Sequence, residues 1–129
     1  MTRAELQELM VQKAEGLVRS FKEATGVEEA PDVGKTQTSK AIEVAQAAES
    51  PLLFINWLRY QAARERERSK FWSQELPNGK TLAEAIAADV NEIKGNSSPG
   101  ELMKNVALYL GYFRRAFIGI GYLDRIQDP

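Results

Sequence analysis

Between Arg59 and Lys70 the chain carries Arg59, Arg64, Arg66, Arg68 and Lys70 against Glu65 and Glu67, five cations against two carboxylates. This local surplus of +3 lies in a chain whose formal net charge is only −1. Clustered Arg and Lys are what hold a polyanion, because affinity for a phosphate backbone comes from several such contacts and the counterions they release. The same pattern also fits a solvated helix face laced with i,i+4 pairs. A second basic pair, Arg114-Arg115, interrupts an otherwise apolar stretch, where an unpaired buried charge would be expensive. Lys35 and Lys40 open another helical stretch, whose first amides would also favour a phosphate.

Other chemistries are poorly supplied. The chain has no histidine and no cysteine. That removes the imidazole base, the thiol nucleophile, the ordinary zinc site and any disulfide. Carboxylates remain, but Glu28, Glu29 and Asp32 fall in a loop bearing Pro31, and Glu65 and Glu67 alternate with arginines. None of these has an apolar setting that would raise its pKa. The reading is therefore of a protein that is not an enzyme and needs no cofactor or metal. No apolar run approaches the roughly 18 residues of a membrane span, and the start, Met1-Thr2-Arg3-Ala4-Glu5, is not a signal peptide. A cytoplasmic protein without membrane contact is expected.

The elements that must position these cations read as all-α, a compact bundle of about five helices in a single domain, 1–129. Thr2 and Glu5 form a capping box, and Leu6, Leu9, Met10, Leu17, Val18 and Phe21 follow at helical spacing up to Gly26. A second helix is predicted from about 36 to 49, with Ile42, Val44, Ala45 and Ala48 inward. Ser50-Pro51 opens a long central helix over 51–74, broken by Pro77-Asn78-Gly79. Thr81 and Glu84 cap a fourth helix, striped by Leu82, Ile86, Val90 and Ile93 until Gly95. Ser98, Pro99 and Glu101 open an apolar C-terminal helix over 99–124. Its glycines, Gly111, Gly119 and Gly121, each cost about 1 kcal/mol against Ala in a helix, so they predict close approach or a bend. The 51–74 and 99–124 helices are expected to pack together.

On a wheel of the central helix, Leu53, Phe54, Trp57, Leu58, Tyr60, Gln61, Arg64, Phe71 and Trp72 share one face. Asn56, Arg59, Ala63, Arg66 and Lys70 form the opposite one. Arg59 and Arg66 would stand about 10 Å apart on either side of small Ala63, a span of one or two nucleotide steps. Arg64, beside Tyr60, is expected to pack its stem as well as carry charge. Trp57 and Trp72 are read as core residues.

Three segments resemble, in order, the small helical subunit of type III CRISPR effector complexes of the Csm kind. Lys35-Thr36-Gln37-Thr38-Ser39-Lys40 looks like that family's Thr-Ser-Gln-Ile-Arg-Lys helix start. Leu58-Arg59-Tyr60-Gln61-Ala62-Ala63-Arg64-Glu65 is similar to its Leu-x-Tyr-Gln-Ala-Gly-Arg element. Ala107 to Arg114, with an aromatic-rich tail, is similar to its Glu-Ala-Leu-Val-Ala-Tyr-His-Lys close. The likeness covers about residues 35 to 118, and the middle element is its sharpest part. Ser39 stands where the family usually has Arg, Ala63 replaces the glycine, and Phe113 replaces the histidine; a divergent member is implied.

The resemblance implies a non-catalytic subunit of a multi-subunit ribonucleoprotein in antiviral defence. Copies of it would stack beside the backbone and large subunits, and contact guide and target RNA without reading sequence. By residue it places Lys40, Arg59, Arg64 and Arg114 at or near RNA. Charge and position add Arg66, Lys70 and Arg115. The alternative is a helical protein–protein adaptor or dimerisation module without nucleic-acid contact. The near-neutral charge favours that alternative for the isolated chain, since free-standing nucleic-acid binders are usually more basic.

Overall fold

The Glu5 amide donates to Thr2 Oγ1 at 3.1 Å and the Thr2 amide to Glu5 Oε1 at 3.0 Å, the reciprocal cap the sequence predicts. From it α1 runs Arg3–Thr25 and stops at Gly26, whose φ of 72° favours glycine. In the computed structural model, which describes residues 1–129, four helices follow: α2 Asp32–Ala47, α3 Pro51–Arg64, α4 Leu82–Gly95 and α5 Leu102–Ile118. Single turns of 3₁₀ helix occupy Glu67–Ser69 and Ile120–Tyr122. Ser50 caps α3 and a Thr81–Glu84 box caps α4, as expected. The all-α bundle of five helices stands, and no helix is long and apolar enough to cross a membrane.

One core of 25 buried apolar residues draws on all five helices. α5 is its hub: it lies chiefly on α1 and α2, less on α4, and barely on α3. The expected pairing of the third and last helices is thus replaced. What reaches α5 from that part of the chain is Phe71, beyond the end of α3. Its ring centroid lies 5.2 Å from Phe117, 5.7 Å from Phe21 and 4.7 Å from Trp72, mostly edge to face. Trp72 is fully buried and its Nε1 donates to Gln37 Oε1 at 3.0 Å, while Trp57 is half-buried against it. Both tryptophans serve the core, as the sequence predicts.

Several boundaries differ from expectation. The central helix does not run to 74; α3 ends at Arg64. From Arg64 to Lys70 no residue is apolar, so two more helical turns would bury nothing, and packing is what stabilises most helices. They would also set Arg64 over Arg68 and Arg66 over Lys70, like charges at i,i+4. The chain turns back instead and delivers Phe71 and Trp72 to the core. The last helix is also shorter than 99–124: Ser98-Pro99-Gly100 is a turn, Glu101 is the N-cap, and α5 ends at Gly119. α2 begins four residues early, taking in Gly34, which is buried against the rings of Phe117 and Phe71. Gly121 abuts the Glu28 carbonyl, the close approach expected of it, whereas nothing lies within 4 Å of where a Cβ on Gly111 would be.

Candidate nucleic-acid interface

Where α3 ends, the Glu65 carboxylate turns inward and collects the backbone of the returning chain. Oε1 accepts from the amides of Phe71 at 2.9 Å and Ser73 at 2.8 Å, and from Ser73 Oγ at 2.7 Å; Oε2 accepts from the Trp72 amide at 3.0 Å. A carboxylate taking several amide bonds is a strong, charge-assisted anchor. It closes residues 65–73 into a compact loop whose outer rim is Arg66, Glu67, Arg68, Ser69 and Lys70, all exposed. The inward turn of Glu65 removes one negative charge from that rim. Lys70 pairs with Glu67 at 3.0 Å. Arg59, Arg64, Arg66 and Arg68 make no salt bridge.

The expected sites fall into separate groups. Arg64 is exposed on the last turn of α3, with its guanidinium 5.6 Å from the centroid of Tyr60, itself 61% exposed. It therefore stands beside Tyr60 as expected, but on an exposed surface and not at the edge of the buried face. Arg59 is exposed and borders a groove between α3 and α4 that also includes Ala62, Ala63 and Ala87. Arg66 and Lys70 lie outside the helix, so the one-face alignment of Arg59, Arg66 and Lys70 does not exist. The loop presents Arg66 and Lys70 together with Arg64 and Arg68 instead. Lys40 is exposed on α2 without an ion-pair partner.

On α5, Arg114 is half-buried and its Nε has no hydrogen-bond partner. Arg115 is exposed, 5.9 Å from the Tyr112 ring centroid, and lines a different groove formed with α1 and α2. The residues bordering the Arg59 groove and the Arg115 groove have no member in common. Arg68, not among the seven expected contacts, belongs with the loop cations; its place in the basic run was the signal.

Sequence reasoning also missed a partly buried polar network. Tyr109, fully buried on α5, donates its hydroxyl to Asp89 Oδ2 at 2.5 Å, and Lys13 reaches Asp89 at 3.8 Å and Glu92 at 2.9 Å. Burial raises the Asp89 pKa above its ordinary 3.8, although the Tyr109 hydrogen bond and the Lys13 charge pull it down. Burial likewise pushes the Tyr109 phenol well up. No spacing rule would have paired residues 89 and 109; only the packing of α4 on α5 brings them together.

A raised carboxyl binds protons more tightly in the folded than in the unfolded chain. Its contribution to stability is therefore greatest at acid pH and declines as pH rises from 3.8 through the raised value. Asp89→Asn should remove that decline. Urea titrations of both proteins from about pH 4 to about pH 7 should show the wild-type advantage shrinking with pH. A constant difference would mean that Asp89 titrates normally.

The chain matches no family model, no curated protein and no solved structure.

Proposed function

We propose that the protein is a non-catalytic RNA-binding subunit of a larger ribonucleoprotein, and that it holds RNA by its backbone. The type III effector subunit that three sequence elements resemble is the assembly we favour, with guide and target RNA, the backbone and large subunits, and other copies as partners. The observation that carries the reading is the inward turn of Glu65. It leaves Arg64, Arg66, Arg68 and Lys70 outward on one short segment with Glu67 as their single exposed carboxylate. Four cations so close together, three of them unpaired, suit phosphates spaced along a strand better than one small anion. Arg59, also exposed on α3, borders the separate groove between α3 and α4.

The resemblance gains and loses support by residue. Arg59 and Arg64 are exposed and available for RNA, whereas Gln37 spends its amide oxygen on Trp72 and is structural.

The test uses the protein purified from its host with whatever accompanies it, and a single-stranded 30-nucleotide RNA. Changing Arg64, Arg66, Arg68 and Lys70 together to Ala should weaken binding at least tenfold without altering sequence preference. The log–log salt slope should fall by up to about 3, since single strands release roughly 0.7 counterion per neutralised phosphate. Unchanged affinity and slope would make the segment a solvated rim.

The second reading, a protein–protein adaptor, would then lead. It has its own observation: Leu52 and Leu53 on α3 are 65% and 55% exposed, apolar surface with no partner in the fold.

A further inference from the structure

The middle of α5 carries a glycine that the fold does not require. Gly111 sits at the centre of a 17-residue helix, where it costs about 1 kcal/mol against Ala, yet no atom stands within 4 Å of where its Cβ would be. A Cβ on either of the other two candidate sites, Gly119 and Gly121, would meet a backbone carbonyl. The empty space beside Gly111 is part of a groove of about 600 Å³ along α5, walled by the first turns of α1 and the C-terminal half of α2. Its apolar lining combines small residues, Ala45, Ala107 and Gly111, with the larger Ile42, Met103 and Leu108. Three cations line it: Arg3 from α1, and Lys104 and Arg115 near the two ends of α5. No carboxylate lines it. Glu101, outside the groove, reaches Lys104 only at 3.9 Å.

We propose that this groove is the docking site for an amphipathic helix of a partner protein, one whose apolar stripe is flanked by Asp or Glu. Charge complementarity selects the occupant: three cations and no acid around the opening call for carboxylates. The lining selects the form. A groove along a helix whose lining includes Ala45, Ala107 and Gly111 leaves room for the side of a second helix, read as i, i+3, i+4, i+7 anchors. Lys104 and Arg115 are eleven residues apart, about 16 Å of helix axis, which matches three turns of a partner lying along α5. Single-stranded RNA fits less well, because such grooves combine a cationic track with several stacking rings, and Tyr112 is the one aromatic here. The site lies on residues separate from the Arg64–Lys70 rim, so it holds whether or not that rim meets RNA. It assigns Arg115 to a protein partner.

The probe is a side-chain-stapled 14-residue helix with Leu at i, i+3, i+4 and i+7 and Glu on both flanks. The control is the same helix with Lys in place of Glu. Binding to the full chain is followed by fluorescence anisotropy at low and moderate salt. The acidic helix should bind at least tenfold more tightly than the basic one. Arg3→Glu with Arg115→Glu should abolish or reverse that preference. Gly111→Leu should fill the groove and weaken the acidic helix at least tenfold, with thermal stability kept or raised because Leu is the better helix former. Equal binding by the wild type and Gly111→Leu, no preference for the acidic helix, or no binding at all would overturn the proposal. So would a 12-nucleotide RNA whose binding is lost in Gly111→Leu, since RNA would then be the occupant.

Discussion

Glu65→Ala should lower stability by about 3 kcal/mol or more, the largest effect expected of any single exposed-loop substitution in this protein. The carboxylate satisfies the amides of Phe71, Trp72 and Ser73 at 2.8 to 3.0 Å. Phe71 and Trp72 in that segment are fully buried and Ser73 is half-buried, so water replaces the lost acceptor only in part. An unsatisfied buried donor costs about 1–3 kcal/mol, and here three are orphaned at once. Glu65→Gln keeps one carbonyl oxygen and should fall between the wild type and the alanine variant. Urea denaturation with Trp fluorescence reads both, because Trp72 sits in the segment that Glu65 anchors. If Ala and Gln variants were as stable as wild type, the loop would be held by Phe71 and Trp72 packing alone. If the proposed RNA contact holds, the variants should also lower RNA affinity even though Ala removes a negative charge, because the rim cations would no longer be held as a positioned set.

The second large effect is expected at Gly34. A Cβ there would run into the ring of Phe117 and come within 2.8 Å of Phe71 Cε1. Neither ring can step aside easily. Phe117 is 5.4 Å from Phe21 and 5.2 Å from Phe71, and all three are buried. Overpacking of this kind costs about 1–3 kcal/mol, and the roughly 1 kcal/mol of helix propensity gained by Ala offsets only part of it. Gly34→Ala should therefore destabilise in urea titration, by up to about 2 kcal/mol, while Gly16→Ala, at an exposed site on α1 with nothing within 4 Å, should stabilise. A stable Gly34→Ala would mean that the start of α2 can slide away from α5.

Local chemistry was the legible part of this fold. Thr2 with Glu5, Ser50 with Pro51, and Thr81 with Glu84 announce helix starts because the capping partners are three residues apart or adjacent. The stripes of α1 and α4 are equally plain, since 3.6-residue periodicity is a local property. The end of α3 was legible in principle: seven polar residues from Arg64 to Lys70 offer a helix nothing to bury, but Phe71 and Trp72 fell on the same wheel face and suggested continuity. Gly34 reads as loop punctuation unless Phe117, 83 positions away, is known to lie against it.

The candidate site divides in the same way. The basic run itself is visible in the sequence, and so is its excess over Glu65 and Glu67. Which of the two acids faces inward depends on where the amides of residues 71–73 return, and that is tertiary information. The groove beside Gly111 was invisible for the same reason. Its cations come from residues 3, 104 and 115, and only the seating of α5 between α1 and α2 brings them together.

That seating also bears on how the protein is made. The helix that covers the apolar stripes of α1 and α2 is the last of the five to leave the ribosome. Met10, Ala14 and Val18 on α1, and Ala41 and Ala45 on α2, stay uncovered while residues 48–101 are synthesised. At roughly 5–20 residues per second that wait lasts several seconds. During it the nascent chain presents apolar surface of the kind that chaperones bind.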